Sequence, residues 1–164
     1  MSTQLRSWSS LWNEYPDYLN SPDSAAVKRM IGGEVTQSWL GPNACTIRLS
    51  YTLNRNGVPV PKSYPGLNTV AGGDGYRYAY RVAEVRRWLP FAIGKPDFEI
   101  VKKKGVPFDK TQLSAMKGII AFDVHFSDAS GHFDLWDGSQ FSHEYQAATY
   151  WAAATRISLW KTLS

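Results

Sequence analysis

The chain has 164 residues, 43% hydrophobic and 20% charged, a globular balance that excludes a disordered, collagen-like or coiled-coil chain. Its net charge of +4 favours an anionic partner without choosing between nucleic acid and an acidic polymer. The single cysteine, Cys45, excludes an internal disulfide, and no apolar run approaches the ~18 residues of a membrane span.

The segment Met1 to Ser10 lacks the apolar stretch of a secretory signal peptide, so action outside the producing cell would need another route. Trp8, Leu11, Trp12 and Tyr15 form one helical stripe and predict a helix over Ser7 to Tyr15, ended by Pro16. Ser21-Pro22, a cap followed by proline at the first helical position, opens a second helix. Val27, Met30 and Ile31 form its apolar face and Gly32-Gly33 stops it. Asn43 is a good N-cap for a third helix, Ala44 to Leu53, with Ala44, Ile47 and Tyr51 on one stripe. Val58 to Gly75, rich in Pro, Gly and Asn, reads as a long irregular loop of the functional or mobile kind.

A fourth helix follows over Tyr80 to Leu89, bounded by Pro90. Lys102 to Gly105 is a basic turn, and Asp109 to Met116 a short helix stopped by Gly118. Then the hydrophobic period falls from helical to alternating. Ile120, Phe122, Val124 and Phe126 predict a half-buried strand over Ile119 to Phe126. Ser127 to Gly131 turns into an antiparallel strand, His132 to Trp136, and Asp137 to Gln140 turns again. Ile157 and Leu159 place a last strand within Thr155 to Lys161. With no repeat or linker, residues 1–164 read as one domain. Helices first and strands last make it α+β.

Cys45 falls at the second position of its predicted helix, where unpaired N–H groups and the helix dipole favour a thiolate and can hold an oxyanion. A lone cysteine is as often a buried filler, and both readings stay open. A cysteine nucleophile needs a base, and the histidines are His125, His132 and His143. His125 lies in the polar register of its strand, which favours a surface role. His132 opens a strand directly after a turn, with Asp134 and Trp136 on its face and Asp137 on the other. No Cys pair, His-x-x-x-His or other ligand spacing points to a metal. Seven Trp and nine Tyr could build a sugar platform, but Trp8, Trp12 and Tyr15 at helical spacing read as core. Arg86-Arg87 and Lys102 to Lys104 form no single basic stripe and argue against nucleic acid.

Two segments stand out together. One is Gly41-Pro42-Asn43-Ala44-Cys45-Thr46-Ile47-Arg48-Leu49-Ser50, followed by Leu53-Asn54 and Gly57. The other is Gly118-Ile119-Ile120-Ala121-Phe122, followed by Asp128 to Gly131 and His132-Phe133-Asp134-Leu135-Trp136-Asp137-Gly138. Their N-x-C-x-x-R-x-S and G-H-x-x-L-W patterns, in this order, resemble the type VI secretion amidase effector family 4, toxins that one bacterium injects into another. Leu11-Trp12, Tyr15-Pro16, Ile31-Gly32-Gly33 and Tyr80-Arg81-Val82 extend the resemblance over nearly the whole chain.

The resemblance implies a papain-like, NlpC-type fold with Cys45 as nucleophile on a helix N-terminus and His132 as base on a strand. It implies cleavage of peptidoglycan stem peptides between γ-D-glutamate and meso-diaminopimelate, without a cofactor. It also implies a cognate immunity protein, delivery by the type VI apparatus and action in the target-cell periplasm. The family usually carries an aspartate eleven residues after its histidine. Here that position is His143, so a Cys–His–His arrangement is expected, with Asp134, Asp137 and Glu144 as alternatives. The family's cysteine pair is absent, with Phe141 and Tyr145 in its place. A non-catalytic wall-binding module and transglutaminase-like acyl transfer by the same pair are the competing functions.

Overall fold

Alternation from Gly118 onward builds the centre of the molecule. In the computed structural model, which describes residues 5–17, 21, 23–124, 131–142 and 147–163, these segments form a four-stranded antiparallel sheet. Its strands are β3 (Phe98–Val101), β4 (Gly118–Asp123), β5 (Gly131–Trp136) and β6 (Arg156–Lys161), in the order β3-β6-β4-β5. The smaller β1 (Thr69–Ala71) and β2 (Arg77–Ala79) pair as a separate antiparallel ribbon. The helices are α1 (Trp8–Glu14), α2 (Ser24–Ile31), α3 (Cys45–Arg55), α4 (Val82–Ile93) and α5 (Ala147–Ala153), with 3-10 turns at Glu34–Thr36, Ser38–Leu40 and Lys110–Leu113.

The sheet is covered on both faces, so the expectation of a half-buried strand is corrected. Ile119 and Ala121 of β4, with Phe133 and Leu135 of β5, pack against Leu11, Leu49, Leu53, Val85 and Leu89 of the helices. The alternate residues Ile120 and Phe122, with Ile157 and Leu159, pack against Leu113, Tyr150 and Trp151. A strand buried on both faces loses polar alternation because neither side meets water. β4 ends at Asp123, whose carboxylate pairs with Arg86 Nε at 2.9 Å and Arg156 Nε at 2.7 Å. His125 and Phe126 lie outside the described residues.

Other boundaries move for local reasons. The cap of α2 is Asp23, not Ser21; its carboxylate accepts the Ala25 N–H at 2.9 Å. Pro90 does not end α4 but sits inside it, and Gly94, at φ 95°, ends the helix by donating its N–H to the Pro90 carbonyl at 2.9 Å. Proline there costs one intrahelical donor, which the packing of Trp88 and Leu89 offsets. The expected helix at Asp109 to Met116 is a single 3-10 turn capped by Asp109, whose carboxylate accepts the Thr111 N–H. The expected loop Val58 to Gly75 contains β1, and β3 and α5 appear where no element was expected.

α3 packs against β2 and β5, and this brings its first residue to the sheet edge. Ser50 bonds the backbone of Ala79, and the Asn54 carboxamide donates to the Arg77 carbonyl at 2.8 Å while accepting the Val60 N–H at 2.8 Å. Arg48, wholly buried, donates through Nη1 to the Pro16 carbonyl and ties the segment after α1 to α3.

Candidate active site

Cys45 is the first residue of α3, and Ala44, not Asn43, is the cap residue. Asn43 still does the capping from one position further out: its Oδ1 accepts the Cys45 N–H at 3.0 Å. The expected oxyanion donor is therefore occupied by that exposed carboxamide. Cys45 itself is buried, as a filler would be. What distinguishes it is its neighbour.

That neighbour comes from β5, the edge strand next to β4. His132 and Asp134 are two residues apart, so the pleat puts both on one face. His132 Nε2 lies 3.1 Å from Asp134 Oδ2, and the ring also hydrogen-bonds Cys45. The Tyr150 ring of α5 stacks on the imidazole at 4.4 Å between centroids and 8° between planes, and Phe141 lies at 6.5 Å. The contacts with Asp134 and Cys45 and the stacked face hold the imidazole in one orientation.

Asp134 is itself fixed. Its Oδ1 accepts the Leu135 N–H at 2.8 Å and the Ser142 hydroxyl, and its side chain is fully buried. Burial alone would favour the neutral form of His132, but the bonds to Asp134 and Cys45 outweigh it and raise the imidazole to about 9. At neutral pH the ring holds its proton.

The structure thus brings together Cys45, His132 and Asp134. His143 and Glu144 lie outside the described residues. Asp137 is not in the site: its Oδ1 accepts the N–H groups of Ser139 and Gln140 and closes the turn after β5. Ser142 and Tyr150 were not expected from sequence. Neither sits in a spacing that marks it, because each reaches the site through tertiary packing. Among the described residues no group of three His, Cys, Asp or Glu side chains could hold a metal ion. No described helix is long and apolar enough to cross a membrane.

A Cys–His–Asp constellation at a helix N-terminus and sheet edge can do acyl-transfer chemistry. Known proteins resemble the chain over nearly its whole length. The family model of the type VI secretion system amidase effector protein 4 matches residues 42–160. The crystal structure of the type VI effector Tae4 from Enterobacter cloacae superposes with a TM-score of 0.81 at 30% identity, covering 99% of this chain and 100% of that one. The effector of the Tae4/Tai4 effector–immunity system from Salmonella typhimurium matches at a TM-score of 0.81 and 30% identity, over 96% of this chain and 99% of that one. No curated protein sequence matches the chain. The fold is the papain-like, NlpC-type fold. By fold, by the matched residues and by identity over nearly its full length, the chain belongs to the amidase effector 4 family of type VI secretion.

Proposed function

We propose that the chain, acting as one catalytic domain over residues 1–164, is a cysteine amidase that hydrolyses the γ-D-glutamyl–meso-diaminopimelate bond of peptidoglycan stems. The observation that carries this reading is His132 held between Cys45 and Asp134. His132 holds the proton that Cys45 gives up, and the sulfur attacks the γ-carbonyl carbon as the thiolate of this pair. The oxyanion forms at the N-terminus of α3, where the Cys45 N–H is released from Asn43. His132 then protonates the leaving amine of diaminopimelate, and water, deprotonated by the same ring, releases the acyl group. Asp134 fixes the tautomer and orientation of the ring and stabilises its charge. These steps use no cofactor.

The toxin would be delivered by the type VI apparatus and act in the target periplasm. An immunity protein would bind it in the producing cell, as Tai4 does in the relatives solved as effector–immunity complexes. The net charge of +4 would hold it near an anionic wall, an effect that salt weakens.

The test is digestion of Gram-negative muropeptides by wild type, Cys45→Ala, Asp134→Ala and His143→Ala, with products read by mass spectrometry. Wild type should cut at γ-D-glutamyl–diaminopimelate, Cys45→Ala should cut nothing, and His143→Ala should retain activity that Asp134→Ala loses. Hydrolysis by folded Cys45→Ala would overturn the mechanism. Activity lost only in His143→Ala would move the third role to that residue. An acyl-transfer product in place of the hydrolysed stem would favour transglutaminase-like chemistry.

A further inference from the structure

A hollow of about 420 Å³ lies between the 3-10 turns and the β1–β2 ribbon. Glu34, Trp39, Thr69, Arg77 and Tyr80 line it. Trp39 and Tyr80 meet edge to face at 5.3 Å and form an aromatic wall, with Trp39 60% exposed. Both charges of the hollow are anchored to β1. Glu34 Oε2 accepts the Ala71 N–H at 2.6 Å. Arg77 donates from Nε to the Thr69 hydroxyl at 3.0 Å and from Nη2 to the Thr69 carbonyl at 2.9 Å. Among the described residues the two do not pair with each other or with any other charged side chain, and Glu34 Oε1 and Arg77 Nη1 take no hydrogen bond. Neighbouring charges of opposite sign usually pair. Two anchored in one hollow offer a ligand an anionic acceptor and a cationic donor at once.

Both walls of the hollow lead along the chain to the candidate site. The segment from Trp39 runs through Leu40 and Ala44 directly into Cys45, and Tyr80 packs in the same cluster as Ala44 and Leu40. From Tyr80 the chain passes to Val82, whose Cγ1 stands 2.9 Å from where a Cβ on Gly131 would lie, one residue before His132.

We propose that this hollow binds the D-centre of diaminopimelate, its carboxylate on Arg77, its nitrogen on Glu34 and its methylene chain against Trp39 and Tyr80. This rests on the amidase reading above. On a stem peptide that D-centre is the group carrying a nitrogen and a free carboxylate on one carbon. The pocket makes Glu34 and Arg77 specificity-determining residues and leaves the chemistry to Cys45, His132 and Asp134.

Three synthetic stem tetrapeptides test it. One carries meso-diaminopimelate, one the same residue amidated at the D-centre carboxyl, and one 2-aminopimelate, which lacks the D-centre nitrogen. Wild type should lose about tenfold in kcat/KM on each altered peptide, mostly through KM, the worth of one charge-assisted contact. Glu34→Gln keeps an oxygen to accept the Ala71 N–H but removes the charge. It should lose about tenfold on the first two peptides and nothing further on the third. Equal cleavage of all three by wild type, or an equal loss on all three in Glu34→Gln, would overturn the assignment. If folded wild type cuts none of them, the amidase reading falls. Calorimetry of the first peptide on Cys45→Ala then decides the pocket separately. Binding that Glu34→Gln weakens supports it, and no binding, or binding that Glu34→Gln leaves unchanged, overturns it.

Discussion

Replacing Asp134 with asparagine removes the buried anion that faces His132 and alters little else in shape. The imidazole is raised from 6.5 to about 9 in the folded protein, against burial that pulls the other way. That difference corresponds to about 3 kcal/mol of folding stability supplied by the charged ring. The raised value sets the sign. The contribution is fully present below about pH 6.5 and is lost as pH climbs to about 9. In Asp134→Asn the part of the rise that Asp134 supplies is lost, only the part from Cys45 still opposes burial, and this pH window narrows. Urea unfolding followed by Trp fluorescence at pH 6 and pH 9 measures it. Wild type should lose more than the variant between the two pH values, by an amount up to about 3 kcal/mol. Hydrolysis by the variant should fall roughly a hundredfold or more. An equal pH slope in the two proteins would refute the claim that Asp134 holds the proton on His132.

Tyr150→Leu fills much of the same space without a ring to stack on His132. It should cost about 1 kcal/mol beyond lost area and lower kcat with little change in KM, read by steady-state kinetics beside a thermal melt. Gly118→Ala places a Cβ 1.8 Å from the Trp160 carbonyl oxygen of β6, backbone that cannot swing aside; a loss of about 3 kcal/mol in urea unfolding is expected. Asn43→Ala removes the acceptor of the Cys45 N–H and should cost about 1 kcal/mol of stability while leaving that donor free. Its kcat should stay within tenfold of wild type, and a hundredfold loss would show that the carboxamide takes part in the chemistry.

The sheet and its site were legible to different depths. Alternation marked β4 and β5 because long apolar runs from Gly118 left few other readings. It also put His132 and Asp134 on one face. It left Asp134 as one of several candidates for the third member, since sequence spacing says nothing of where the Ser142 hydroxyl and the Leu135 N–H gather. β3 escaped notice because Phe98-Glu99-Ile100-Val101 is four residues long, with Val101 75% exposed, and its pairing to β6 is long-range. α5 escaped because Ala147–Ala153 carries its two aromatics side by side, Tyr150 and Trp151, and so shows no stripe. Pro90 misled for a plainer reason. Proline weakens a helix locally, and tertiary packing carried α4 one more turn to Ile93.

Because His132 and Asp134 sit two residues apart on one six-residue strand, they share a single degree of freedom. A slip of β5 by one residue against β4 would turn both side chains to the opposite face at once, and would exchange the buried sets Phe133–Leu135 and His132–Trp136. No partly assembled pair exists between those two registers. The base and its orienting acid are thus inherited together from the pairing of Phe122 with His132 and of Ile120 with Asp134. Variation elsewhere in the chain that keeps this ladder in step keeps the pair whole, while variation that shifts it abolishes the pair and the core packing in the same event.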